Sequence, residues 1–130
     1  MTYHRRKGVA IVETEKGILL VAGKARIFML PGGGAKIGES REKAAIRELY
    51  EETRLKTKST KYLFNYIGPI WRTPSGKPVR NHCKIFLVKA EGTPKPGNEI
   101  KYVGFWKPGN KIKILPRTLI IMQRYLKEFK

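Results

Sequence analysis

The sequence predicts a mixed β-sheet packed between helices, of the α+β or α/β class. Three observations carry this. Short apolar runs of strand length open the chain, one amphipathic helical stretch interrupts them, and alternating segments then lead into a second helical stretch at the end. At 130 residues the chain is long enough for one domain over 1–130 with a core that needs no staples. Cys83 is the only cysteine, which excludes an internal disulfide.

Val9 to Val12 has the run of apolar residues of a buried strand, and Ile18 to Ala22 is a second, joined to it by a turn over Glu13 to Gly17. Ile27 to Leu30 predicts a short third strand before the loop Pro31-Gly32-Gly33-Gly34. Ser40 is placed as an N-cap, with Glu42 in the first turn on the favourable side of the helix dipole. Lys43 stands where a capping box would have Glu or Gln. The helix runs from Arg41 to about Arg54, with Ala45, Ile46, Leu49 and Thr53 as its inward stripe. Tyr62 to Trp71 alternates as a strand, Thr73 to Pro78 is a turn, Lys84 to Ala90 is a strand, and Ile100 to Trp106 is the last strand. Pro116 fits the first turn of a terminal helix to about Phe129, with Leu119, Ile120, Met122, Leu126 and Phe129 as its apolar positions.

The charge balance is lopsided, with 28 basic residues against 10 acidic ones and a net charge of +18. Such a surface attracts polyanions such as a nucleotide, RNA or an acidic surface, the bland alternative being that abundant lysine only keeps the protein soluble. No apolar run approaches the ~20 residues that span a bilayer, and Met1 to Lys7 lacks the apolar run of a secretory signal. A membrane partner is therefore not expected, and the predicted location is cytoplasmic. His4, His82 and Cys83 make no zinc spacing.

The acids are unevenly placed. The chain has no Asp, and five of its ten Glu (Glu39, Glu42, Glu48, Glu51 and Glu52) lie within fourteen residues. On a helix Glu48, Glu51 and Glu52 are spaced i, i+3 and i+4 and fall within an arc of roughly 100°. Three carboxylates at one spot repel each other, and a divalent cation removes that penalty. Mg²⁺ takes hard oxygen ligands from a few carboxylates and completes its shell with water and phosphate, so the cluster predicts a Mg²⁺ site for a phosphorylated substrate, with Mn²⁺ as a substitute. A solvated acidic face is the bland alternative. The scarcity of acids elsewhere and the glycine loop before the helix argue against it.

Gly33, five residues, Glu39, seven residues, then Arg47-Glu48-Leu49-Tyr50-Glu51-Glu52-Thr53-Arg54-Leu55 resembles the Nudix box, matching eight of its nine specified positions. Leu30-Pro31-Gly32-Gly33 resembles the usual lead-in. The departure is Arg54, which stands in place of a Gly just past the helix, where a left-handed residue is common. The resemblance implies a Nudix-type α/β/α sandwich with a central mixed sheet and the box as a loop-helix-loop. It implies that Glu48, Glu51 and Glu52 hold the metal with the Gly33 carbonyl, that Arg47 orients the carboxylates, and that Glu39 supports the loop or reaches a second metal. The implied reaction is attack of water on a diphosphate bridge. Glu51 or Glu52 is the local general base, and Glu99 is a second candidate for that role.

Substrate choice is less legible. Arg26, Arg72 and Arg80 are candidate phosphate ligands. Tyr62, Phe64 and Tyr66 are expected on one strand face, either stacking on a base or filling the core. The expected function is Mg²⁺-dependent cleavage of a nucleoside triphosphate, ADP-ribose-like compound or dinucleotide. The alternatives are an RNA 5′-end pyrophosphohydrolase and a non-catalytic nucleotide-binding module. A homodimer is compatible with the resemblance.

Overall fold

The computed structural model describes residues 1–130. In chain order the elements are β1 (Tyr3–Ile11), β2 (Glu13–Thr14), β3 (Gly17–Ala22), β4 (Gly32–Gly34), α1 (Arg41–Thr53), β5 (Lys56–Arg72), β6 (Pro78–Glu91), β7 (Tyr102–Trp106) and α2 (Pro116–Phe129). One sheet has the order β4-β1-β6-β5 and the other β2-β3-β7. β1 and β6 pair in parallel, and every other pair is antiparallel, so the predicted mixed sheet is present. The Leu19 N–H donates to the Val12 carbonyl at 2.9 Å and joins the two sheets into one layer.

Strand alternation then sorts the core into two halves. Val9, Ile11, Phe64, Cys83 and Ile85 point to one face, where Ile121, Met122 and Tyr125 of α2 cover them. Ala10, Val12, Phe86 and Val88 point to the other face, against Ala45 and Leu49 of α1. The result is helix, sheet, helix. Leu49 is fully buried, which stabilises the α1 contact by roughly 2 kcal/mol. No helix is long and apolar enough to cross a membrane.

Several expected details differ. Ile27 to Leu30 is not a strand; only Phe28 and Met29 form isolated bridges, to Ile114 and Val21. The strand that follows β3 is the glycine loop itself, since Gly32, Gly33 and Gly34 pair with Val9, Gly8 and Lys7. Hydrophobic patterning cannot reveal a strand made only of glycine. β5 starts at Lys56, well before Tyr62, because its first residues are polar on both faces. Tyr62 does not share a face with Phe64 and Tyr66: a register shift lies between Tyr62 and Phe64, which pair with Phe86 and Ile85. The extra residue turns Tyr62 to the α1 side. On α1 the inward set is Ala44, Ala45, Leu49 and Thr53, with Ile46 only half-buried. On α2, Ile120 is half-exposed, and Tyr125 is buried in its stead because its hydroxyl donates to Glu13 Oε1.

Candidate active site

The box helix is held against the sheet at both ends. At its start, Ser40 Oγ accepts from the Lys43 N–H at 3.1 Å, a cap worth ~1 kcal/mol. Gly8 lets α1 come down onto β1; a Cβ there would stand 1.9 Å from the Arg41 carbonyl oxygen and 2.8 Å from the Ala45 nitrogen. At its end, the carbonyls of Glu52 and Thr53 accept from the Gly97 and Lys95 N–H groups at 3.0 and 2.9 Å. The loop after β6 thus closes the helix terminus. Arg54 adopts the left-handed conformation at φ 64°, and its N–H donates to the Tyr50 carbonyl. The chain therefore keeps the exit that glycine would make easy. The Arg54 guanidinium lies 5.4 Å from the centre of the Tyr50 ring.

Arg47 organises the acids. It donates to Glu39 twice, at 2.9 and 3.0 Å, to Glu48 Oε1 at 2.9 Å, to Glu51 Oε1 at 3.0 Å and to the Gly34 carbonyl at 3.1 Å. Glu39 also accepts from the Lys36 N–H at 2.9 Å, which holds the loop before the helix. The hydrogen bonds from Arg47, then that from Lys36, lower the Glu39 pKa to about 2. The same carboxylates raise the Arg47 pKa further above its ordinary range.

Glu52 is held differently. Its Oε1 accepts from the Gly32 N–H at 2.9 Å. Burial pushes its pKa up to about 7, helped by Glu48 and Glu51 and opposed by the Gly32 bond and by Lys7. Gly33 lies directly against Glu48, and a Cβ there would stand 2.6 Å from the Glu48 carboxyl carbon. Glu39, Arg47, Glu48, Glu51, Glu52 and Gly33 are therefore one neighbourhood. In this conformation no three acidic, His or Cys side chains are arranged around a common metal position; Arg47 holds Glu48 and Glu51, and the Gly32 N–H holds Glu52.

Beside this neighbourhood lies a cleft of about 780 Å³ lined by Gly23, Lys24, Met29, Glu48, Glu52, Asn98, Glu99 and Ile100. Glu99 thus faces the same space as Glu48 and Glu52, from an exposed turn just before β7. A second cavity, of about 710 Å³, is lined by residues such as Glu13, Leu55 and Phe105 and includes none of the box acids.

The three arginines singled out from the sequence lie outside the cleft lining. Arg26 has φ 57° in the turn after β3, and its guanidinium sits 4.3 Å over the Tyr102 ring. Arg72 Nη1 donates to the Gly76 carbonyl at 2.9 Å and closes the β5–β6 turn. Arg80 pairs with His4, five residues along β1 from Val9 opposite Gly32, or roughly 16 Å at strand rise. The cation that does line the cleft is Lys24. Lys7 was equally unmarked; it pairs with Gly34, and burial, then Arg117, lowers its pKa, while Glu52 raises it. No short-range signal marks Lys7, because the pairing joins residues far apart in sequence. Lys24 lies two residues before Arg26 in the turn after β3, and it lines the cleft while Arg26 stacks on Tyr102.

Comparison with known proteins finds relatives over most of the chain. The NUDIX domain profile matches residues 2–127. An ADP-ribose pyrophosphatase from Methanocaldococcus jannaschii is 31% identical over 124 residues, covering 92% of this chain and 69% of that protein. An RNA pyrophosphohydrolase from Brucella anthropi is 30% identical over 120 residues, covering 82% of this chain and 68% of that protein. The crystal structure of a nudix hydrolase family member from Chromobacterium violaceum superposes with a TM-score of 0.80 at 36% identity, covering 95% of this chain and 77% of that one. The chain therefore belongs to the Nudix family and is a pyrophosphohydrolase of that family.

Proposed function

We propose that the protein hydrolyses the diphosphate bridge of a nucleoside diphosphate linked to a second moiety, with Mg²⁺ as cofactor and Mn²⁺ able to replace it. The observation that carries this reading is the Arg47-organised set of Glu39, Glu48 and Glu51, with Glu52, at the rim of a cleft that also holds Lys24 and Glu99. The donor set fits the ion: Glu48, Glu51 and Glu52 with the Gly33 carbonyl are hard oxygens, and Gly33 already lies against Glu48. When bound, Mg²⁺ supplies positive charge against the bridging phosphates.

The side chains have separable tasks in this reading. Arg47 holds Glu48 and Glu51 in place, and Glu39 holds Arg47. Lys24 offers the cleft a cation for phosphate. Glu52 uses one oxygen on the Gly32 N–H and keeps the other for the water proton, which makes it the first candidate for general base. Glu99, in the same cleft, is the second.

The test is hydrolysis of a panel with Mg²⁺: nucleoside triphosphates, ADP-ribose, dinucleoside polyphosphates and 5′-triphosphorylated RNA, resolved by chromatography. Glu52→Gln is the control. Turnover of one class that the control lacks supports the reading, and no turnover of any class with either metal overturns it. The net charge of +18 and the similarity to an RNA pyrophosphohydrolase favour a second reading, release of phosphates from an RNA 5′ end. Its mark is RNA affinity that falls steeply with salt.

A further inference from the structure

The helix α1 covers only part of its sheet face. It starts over Gly8, where Arg41 comes down on β1, and Ala45 and Leu49 cover Phe86 and Val88. Toward the start of β1 the face is uncovered. There β6 buries every second residue, Val79, Asn81, Cys83 and Ile85, toward the α2 side. The residues between them, Arg80, His82 and Lys84, turn to the α1 side and are half-buried. His4 and Arg6 of β1 pair with Arg80 and His82, as Ile70 and Ile67 of β5 do from the other flank, and all four are exposed. His4 Nδ1 and His82 Nε2 share a hydrogen bond at 2.7 Å, which holds both rings on this face.

The uncovered face is basic. Arg6, Arg41, Arg80 and Lys84 lie on it, and none has an ion pair. Arg6 donates to the Glu39 carbonyl at 3.3 Å and Arg41 to the His82 carbonyl at 3.4 Å. Cations left together repel one another, and an anion relieves this. Spacing decides the kind of anion. Arg80 and Lys84 are separated by about 13 Å at strand rise, so one phosphate cannot meet both, whereas a chain of phosphates can. Flat and apolar side chains lie among the cations. The His4 and His82 ring centres are 4.8 Å apart, Ile67 and Ile70 are exposed, and Lys84 sits 5.0 Å over the half-exposed Tyr62 ring. Imidazole, phenol and guanidinium planes stack on unpaired bases, which an acidic peptide does not supply. The face also borders the box, since the Arg6 carbonyl accepts from the Ala35 N–H at 2.8 Å.

We propose that this face binds single-stranded RNA, with Arg6, Arg41, Arg80 and Lys84 on its phosphates and the His4–His82 pair and Tyr62 stacking on its bases. The use of that binding, to hold an RNA whose 5′ end enters the cleft, rests on the RNA-end reading above; the binding itself does not. Arg80, which lies outside the cleft lining, thereby gains a phosphate to meet.

Equilibrium binding without metal tests the surface separately from turnover. A 3′-labelled RNA of about ten unpaired nucleotides, within the span of one single-strand site, is titrated with the intact protein and read by fluorescence anisotropy. Affinity is expected to fall about fiftyfold between about 0.05 and about 0.2 M salt, the dependence of a single strand held by four cations. The double variant Arg80→Gln, Lys84→Gln is expected to bind roughly tenfold more weakly at the lower salt and to lose about half of the salt slope. Lys84→Gln alone should shift both in the same direction by less. Lys111→Gln with Lys127→Gln removes the same charge from exposed positions elsewhere on the protein and is expected to bind as the parent does. An equal loss in that control overturns the inference, because net charge alone would then draw the RNA. So does a β6 double variant that binds as the parent does. So does polyglutamate of matched charge that binds the intact protein as tightly as the RNA, an outcome that requires no variant to fold. Turnover is the second arm: the β6 double variant should raise KM for 5′-triphosphorylated RNA and leave KM for a nucleoside triphosphate unchanged, and an unchanged KM for an RNA that is hydrolysed overturns the inference. If no RNA end is hydrolysed while binding follows the expected pattern, the surface stands and the RNA-end reading fails.

Discussion

Arg47 grips Glu39 with two nearly parallel donors, Nε to Oε2 at 2.9 Å and Nη2 to Oε1 at 3.0 Å, while its Nη1 reaches Glu48 and Glu51. A lysine cannot reproduce this, since it offers one point charge where the guanidinium offers a planar fork. Arg47→Lys is therefore expected to keep the fold and lose roughly 10–100-fold in kcat/KM, the usual cost of disturbing residues that orient metal ligands. Steady-state kinetics with circular dichroism as the fold control checks this, and near-normal turnover would show that the carboxylates place themselves.

The same pair sets a pH dependence. Glu39 has its pKa lowered to about 2, against about 4.3 in an unfolded chain. A lowered carboxylate pKa contributes stability above the unfolded value and loses it as pH falls through the folded one. Glu39→Gln should therefore be less stable than the parent at pH 7, and the gap should close between about pH 4.3 and pH 2. Urea denaturation of both proteins across that range measures it; a gap independent of pH would mean that the Glu39 charge plays no part.

These residues were legible because their geometry is local. Glu39, Arg47, Glu48, Glu51 and Glu52 lie on one loop-helix unit, so helical spacing alone places the acids together, and the i, i+4 contact from Arg47 to Glu51 follows from it. The second half of β6, from Lys84 to Ala90, and the Pro116 start of α2 were legible for the same reason, whereas the first half of β6 from Pro78 was not. What failed depended on distant pairing. A strand of three glycines exists only because β1 offers it an edge. The faces of Tyr62 and Phe64 were separated by an irregularity that strand periodicity does not encode. Lys7 gains its place opposite Gly34 from that same tertiary register, whereas Arg72 is drawn into the turn at Gly76.

Glu52→Gln should abolish turnover, by about 10³-fold or more if Glu52 is both ligand and base. Stability should not fall, because the Gln carbonyl can still accept from the Gly32 N–H and no buried charge remains. Glu99→Gln is the companion: a loss confined to kcat there would move the base role to the turn before β7. Near-normal turnover of Glu52→Gln, with its melting temperature unchanged, would remove Glu52 from both roles.

Arg54 costs something by standing at φ 64°. A non-glycine residue in that region is disfavoured by ~1 kcal/mol. The contact with the Tyr50 ring at 5.4 Å returns part of this, about 0.5 kcal/mol for an exposed cation–π pair. Arg54→Gly is therefore expected to stabilise the fold by about 0.5 kcal/mol and leave kcat unchanged, as read by urea denaturation and kinetics. A destabilised variant would show that the Arg54 side chain contributes more than its backbone strain costs.

Two glycines close to the box should respond in opposite ways to the same added methyl. At Gly8 a Cβ meets the Arg41 carbonyl oxygen at 1.9 Å, and backbone cannot step aside, so α1 must lift from β1. Gly8→Ala is expected to destabilise by about 3 kcal/mol, as overpacking against rigid structure does. At Gly33 the obstacle is the far end of Glu48, 2.6 Å from the new methyl, which can rotate away. Gly33→Ala should therefore fold with nearly parental stability while Glu48 leaves the position it shares with Arg47, and turnover should fall at least tenfold. The measurements are melting curves and kcat/KM for both variants. If Gly33→Ala kept full activity, the contact between Gly33 and Glu48 would be incidental to catalysis, and Glu48 would be free to work from another rotamer.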